Sequence, residues 1–259
     1  MTFDEEAWPR LRFGAGNPLK VVVAQVRYPM AHGLADPAVQ AAIQRALADS
    51  YPLSLDPVQE VTFAVTAQGP TPPKTEQTAI RFGNEAGTRV IAIGPGSASF
   101  ETTRYEGWEA FLPEVERVLR LVAEHGVPTL FTRLGLRYVD ELQLDDVATI
   151  GDWAGLLTSA LVGEPSSLLR DPRVTETTQQ GRLVLGEDEL RFRHAYVGRP
   201  GETPSSVYVI DTDISTKGQN AWDIAAIVER LNRYHGWMGK VFGRSFLPEG
   251  LERLGGTAQ

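Results

Sequence analysis

The chain contains no cysteine. That single absence excludes disulfides, thiolate zinc sites, iron–sulfur clusters and cysteine nucleophiles together. Histidine is scarce, at His32, His125, His194 and His235, and no two stand at the i, i+4 spacing of a helical zinc site. No metal and no cofactor is therefore expected. Lysine occurs only at Lys20, Lys74, Lys217 and Lys240, so arginine carries most of the positive charge. No apolar run approaches the ~18–20 residues of a membrane-spanning helix. The opening stretch, MTFDEEAWPRLRF, is acidic and lacks the apolar segment of a secretory signal. The expected location is the cytoplasm, with no membrane partner. Acidic residues outnumber basic ones, 33 to 25, for a net charge of −8. Such a balance keeps a protein soluble and disfavours broad nucleic-acid binding.

Present instead is an ordinary globular composition. Of 259 residues, 42% are hydrophobic and 22% charged, enough for a sizeable core. Lys20 to Tyr28 reads as a strand with Val22, Ala24, Val26 and Tyr28 on one face and Val21, Val23, Gln25 and Arg27 on the other. Asp36 and Pro37 then open a helix whose stripe is Val39, Ile43 and Leu47. Strands are expected over Val58–Ala67, Thr78–Phe82, Arg89–Ile93 and Ser97–Tyr105, with Gly94-Pro95-Gly96 as a turn. A helix follows over Gly107–Glu124, with Gly126 as its stop and Pro113 a possible kink. The order then repeats. A strand is expected over Pro128–Leu142, a helix over Asp152–Leu161, and strands over Val174–Leu185, Glu189–Val197 and Ser206–Ile214. A last helix is expected to start near Asn220, capped by Asn220 with Asp223 and weakened by Gly236 and Gly239.

The repetition extends to particular residues. Gln25-Val-Arg-Tyr28 matches Gly135-Leu-Arg-Tyr138, and the helix opening at Trp108 matches the one at Trp222. Arg27 to Arg137 spans 110 positions and Trp108 to Trp222 spans 114, a near-constant offset. The expected fold is α+β: two duplicated β-α-β-β-β-α units, a mainly antiparallel sheet, and helices packed on one face. The expected organisation is an arm over 1–17, halves over 18–127 and 128–249, and a flexible tail over 250–259.

No motif names a reaction. Val207-Tyr-Val-Ile-Asp-Thr-Asp213 resembles the aspartate motif of haloacid-dehalogenase phosphatases, but it stands near the end of the chain, where the motifs that must follow have no room. It reads better as an antiparallel strand entering an Asp-rich turn. Gly94-Pro-Gly-Ser97 lacks the Gly-Lys-Ser/Thr ending of a phosphate loop. Asp145-Asp146 and Glu187-Asp188-Glu189 read as solvated turn charges. The polar residues that stand out are Arg27 and Arg137, each on an expected buried strand and each followed by a tyrosine, Tyr28 and Tyr138. If the halves bring them together, two guanidiniums make an anion or carboxylate site. Alternatively each pairs with a nearby carboxylate or extends its head to solvent.

Pro18 with Val-Arg-Tyr28, Tyr105-Glu-Gly-Trp-Glu-Ala-Phe111, Arg133-Leu-Gly-Leu-Arg-Tyr-Val139, and His235 with Phe242 give the chain a family look. It resembles, over nearly its whole length, a sporadically distributed bacterial and archaeal family of proteins of similar length. That family has asparagine where Asp140 stands. The resemblance implies no mechanism; patchy distribution suits mobile or defence-linked loci. The expectation is a non-enzymatic binding or accessory protein for a small anionic ligand or a protein partner, with self-association open. The alternatives are an enzyme acting on an anionic small molecule in a groove between the halves, and a nucleic-acid-associated module. A contiguous exposed arginine patch interleaved with tyrosine or phenylalanine would favour the last.

Overall fold

Alternation along the first long strand shows how the chain is built. The computed structural model describes residues 11–13, 17–58, 61–62, 65–66, 69–70, 74–75, 79–159, 171, 173–199 and 201–258. Strand β1 is Leu11–Phe13 and β2 is Leu19–Arg27. In β2, Val22, Ala24 and Val26 are buried while Val21, Val23, Gln25 and Arg27 are half-buried. A period of two with one face covered is the mark of a sheet packed on one side.

After β2 a 3-10 turn leads to α1, Pro37–Leu47. The Asp36 carboxylate accepts the Ala38 N–H at its start, the cap expected there. Strand β3, Leu53–Val58, begins earlier than expected and runs through Pro57. Its register against the next long strand shifts between Leu55 and Val58, since proline has no N–H to give the ladder. Two short antiparallel pairs follow, Val61–Thr62 with Lys74–Thr75 and Val65–Thr66 with Gly69–Pro70. Phe63 and Thr78, placed in strands by the sequence, lie outside the described residues.

Strands β4 (Ala79–Gly83), β5 (Arg89–Ile93) and β6 (Ser97–Thr102) form an antiparallel meander. The Gly94 N–H closes the β5–β6 turn on the Ser97 carbonyl at 2.8 Å. Helix α2, Trp108–Gly126, packs on β5 and β6 through Phe111, Val115, Val118, Leu119 and Val122. Pro113 lies inside it on its exposed side, where the carbonyl it leaves unpaired is free to meet water. The helix outruns its expected end. Gly126 is still helical; a Cβ there would come within 2.9 Å of Leu34, and the left-handed residue is Val127, at φ 44°.

Strand β7 is Leu130–Leu142. The helix expected over Asp152–Leu161 is only one turn, α3, Ile150–Trp153, opened by a Thr149–Asp152 capping box. Its continuation is diverted because Leu157 bridges to Phe246 as an extended residue, while Ala160 and Leu161 lie outside the described residues. Strands β8 (Glu176–Leu185) and β9 (Asp188–Gly198) form a hairpin with unbroken register. Strand β10, Ser206–Ala221, runs seven residues past its expected end, so Asp211 and Asp213 stand within a strand, not in a turn. Asn220 also belongs to it, and helix α4, Ile224–Gly243, is capped by Asp223 alone, which accepts from the Ala225 and Ala226 N–H groups. Gly236 and Gly239 do not interrupt α4. Residues expected to form a tail carry helix α5 (Pro248–Arg253) and strand β11 (Gly256–Ala258), which pairs with β1.

The fold is α+β, with an open nine-stranded, mostly antiparallel sheet in the order β8-β9-β10-β7-β2-β6-β5-β4-β3. Two compact units divide the chain. One comprises Met1–Val22, Leu136–Ile214 and Arg230–Gln259; the other comprises Val23–Gly135 and Ser215–Glu229. The first has a core of Leu142, Ile150, Trp153, Leu156, Tyr208, Ile210 and Phe246. Within it the Trp153 indole N–H donates to Ser206 Oγ at 3.0 Å, and Ser206 donates to the Val147 carbonyl at 2.6 Å, so the buried polar atoms are satisfied. In the second, Phe111 gathers Phe100, Tyr105 and Trp108 around its ring. No helix among the described residues is long and apolar enough to cross a membrane.

Candidate functional site

Of the four residues singled out by sequence, Tyr28 and Tyr138 are buried, Arg27 is half-buried and Arg137 is exposed. Arg27 and Arg137 belong to different compact units. Within its unit, Arg27 donates from Nε to Gln25 Oε1 at 3.1 Å, and Gln25 also accepts from Arg133 Nη1 at 3.2 Å. Tyr28 is core: its hydroxyl donates to the Gly94 carbonyl at 2.7 Å and its ring meets Trp222 edge-on at 5.7 Å. Burial pushes its phenol above the ordinary tyrosine range.

In the other unit, Arg137 and Tyr138 are consecutive strand residues and so face opposite ways. Tyr138 is buried, with its hydroxyl 2.9 Å from His235 Nδ1. Arg137 is half-exposed and makes a bidentate pair with Asp211, Nε to Oδ1 at 2.8 Å and Nη2 to Oδ2 at 2.7 Å. This is the nearby-carboxylate alternative for Arg137.

Arg137 nonetheless lines a shallow trough of about 600 Å³, together with Gln180, Arg182, Arg191, Arg193, Asp211 and Asp213. The strands supply these residues by period two. Glu189, Arg191 and Arg193 alternate along β9, and the β8–β9 register sets Arg182 opposite Arg191 and Gln180 opposite Arg193. Leu190 and Tyr196 take the other face of β9 and are buried. Gly181 sits opposite Phe192, and a Cβ at 181 would fall 2.1 Å from the ring, so this position needs glycine for the close approach.

Glu189 organises the trough. Its carboxylate lies 2.7 Å from Arg182 Nε and 2.5 Å from Arg191 Nε and is only 8% exposed. Of Glu187-Asp188-Glu189, expected as solvated turn charges, Glu187 is an exposed turn residue, whereas the burial of Glu189 corrects that expectation. Asp188 is buried too, accepting from the Tyr234 hydroxyl at 2.5 Å with Arg230 and Arg233 at 3.4 and 3.2 Å. Carboxylates at a turn can be buried when arginines from neighbouring elements pair with them. Arg193, exposed at the trough, has no carboxylate within ion-pair distance among the described residues. Arg182, Arg191 and Arg193 were missed from sequence; the signal was the period-two run Glu189-x-Arg191-x-Arg193.

Two buried titratable groups lie near this chemistry in sequence. Asp140, on β7, is pushed up to about 8 by burial. His194, on β9, is pulled down to about 4 by burial, against the upward pull of the Asp211 charge, and its Nδ1 has no hydrogen-bond partner among the described residues. Both are therefore neutral at pH 7. No group of three His, Asp or Glu among the described residues is placed to hold a metal ion. No family model matches the chain, and no curated protein matches it.

Proposed function

We propose that the chain is a non-enzymatic binding protein whose site is the arginine trough on β8–β10, and that it takes a small anion bearing phosphate or carboxylate groups. The observation that carries this reading is Arg193, an exposed guanidinium with no carboxylate at ion-pair distance among the described residues, beside three arginines already held by acids. Glu189 engages Arg182 and Arg191 through their Nε atoms, which holds the two side chains in place beside Arg193. Planar forks restrained in this way lose less freedom on meeting an oxyanion than free side chains do. The shallow, solvent-open form favours reversible binding over chemistry, which calls for water to be excluded.

The reading includes internal duplication and membership of the family that the chain resembles. Sheet order supports the first. Outward from the opening strand, residues 18–127 run β2-β6-β5-β4-β3 and residues 128–249 run β7-β10-β9-β8, the same order but for the additional β3 at the first half's edge. Arg137 corresponds to Arg27, and Trp222, two residues before α4, corresponds to Trp108 at the start of α2. One copy would then have elaborated the trough.

The test is a thermal-shift series with inorganic phosphate, pyrophosphate and citrate. Pyrophosphate is expected to raise the melting temperature in a salt-sensitive way, and Arg193→Ala to remove most of the rise. No shift with any of the three, or an unchanged shift in Arg193→Ala, contradicts the assignment.

A further inference from the structure

Strand β8 forms one edge of the nine-stranded sheet and β3 forms the other. Exposed edges are templates for strand addition, and proteins commonly blunt them with proline, bulges or irregular pairing. Strand β3 has such devices, Pro57 and a register break between Leu55 and Val58. Strand β8 has neither. It runs ten residues, ETTQQGRLVL, in unbroken register with β9, and among the described residues no strand pairs with its outer side. Val184 on it is 60% exposed and Leu183 38%.

The phase of the hydrogen-bond ladder identifies the groups offered outward. Gly198 N–H donates to the Thr175 carbonyl at 2.8 Å, which continues the β8–β9 register by one pair. In an antiparallel ladder, residues that bond to the partner strand alternate with residues that bond away from it. The odd-numbered residues therefore bond to β9. Glu176, Thr178, Gln180, Arg182 and Val184 turn their N–H and C=O groups to the free edge.

We infer that this edge pairs with the β8 of a second copy of this chain, antiparallel about Gln179. A two-fold axis normal to the sheet keeps each face with its like and sets outward residues against outward residues. Centred on Gln179, it places Glu176 of each copy opposite Arg182 of the other, and Thr178 opposite Gln180. Both charges on the strand then meet a charge of opposite sign, which stabilises the pairing. The Nε of Arg182 faces Glu189 at 2.7 Å, leaving its terminal amino groups for the second copy. The shared edge is short, so association is concentration-dependent. This inference does not depend on the trough's binding an anion.

The experiment is sedimentation of the full chain over a concentration series. The wild type is expected to form a species of twice the 28.4 kDa chain mass. Thr178→Pro removes an outward N–H without touching the β8–β9 ladder and is expected to leave a monomer with unchanged circular dichroism. Glu176→Arg sets like charges together and is expected to weaken the dimer at least tenfold, and Glu176→Arg with Arg182→Glu to restore it. A wild type that stays monomeric to the highest concentration overturns the inference. So does a dimer indifferent to Glu176→Arg, or one that the charge swap fails to rescue; these two hold even if Thr178→Pro does not fold.

Discussion

Arg137 and Asp211 face one another across adjacent strands and make two parallel hydrogen bonds, at 2.8 and 2.7 Å. Arg137 is half-exposed, so the pair contributes little to stability, within about 1 kcal/mol. Its electrostatic effect on the trough is larger, because Asp211 is a negative charge inside the site proposed for an anion. Asp211→Asn is expected to tighten pyrophosphate binding severalfold while lowering the melting temperature only slightly. Titration calorimetry beside a thermal melt checks both; weaker binding in this variant counts against the trough.

The stability of the protein should depend on pH through two buried groups of opposite sign. Folded, Asp140 keeps its proton up to about pH 8; unfolded, it releases it near its ordinary value of 3.8. Between these values the unfolded state binds fewer protons, so stability falls as pH rises. His194 does the reverse. It stays neutral down to about pH 4 when folded but takes a proton near 6.5 when unfolded, so stability rises with pH over that interval. The two slopes oppose each other between about pH 4 and 6.5, and the fall due to Asp140 stands alone from there to about 8. Asp140→Asn is expected to abolish that upper fall, worth up to about 1.4 kcal/mol per pH unit, and to expose the histidine rise beneath it. Denaturant melts at four pH values measure this; a variant with the wild-type slope above pH 6.5 refutes the assignment to Asp140.

Tyr234 is fully buried and donates a hydrogen bond from its hydroxyl to Asp188. Tyr234→Phe keeps the ring and leaves a buried carboxylate short of a donor. A loss of about 1.5–3 kcal/mol is expected, as for hydrogen bonds to charged groups. Urea unfolding measures it, and a loss under about 0.5 kcal/mol means that Arg230 and Arg233 satisfy Asp188 without the tyrosine.

Val127 holds a left-handed conformation at the end of α2 with its side chain 72% exposed. A β-branched residue there is strained by roughly 1–2 kcal/mol and has little packing to lose. Val127→Gly is expected to stabilise the fold by about 0.5–1 kcal/mol after the greater unfolded-state freedom of glycine is subtracted. Unchanged or lower stability in chemical denaturation contradicts this.

What the sequence made legible was local. The alternation of Val22, Ala24 and Val26, the Asp36-Pro37 helix start and the Gly94-Pro95-Gly96 turn all depend on neighbours within a few residues, and all appear where expected. The errors arose where distant segments decide. The helix after Trp153 stops because Leu157 is drawn to Phe246. Asp188 and Glu189 are buried because arginines from α4 and β8 reach them. Arg137 stands out in the sequence beside Tyr138, yet the two face opposite ways, and only Arg137 lines the trough. Arg182, Arg191 and Arg193 form one surface only once the β8–β9 register is known, and no spacing within a single strand reveals a register between two.

Titration of pyrophosphate into the wild type and into Arg193→Glu, each at low and moderate salt, tests the central claim most directly. The account predicts one site per chain in the wild type, weakened by salt, and at least a tenfold loss of affinity in the variant. Equal affinity in the two proteins, or no binding to either at low salt, contradicts it.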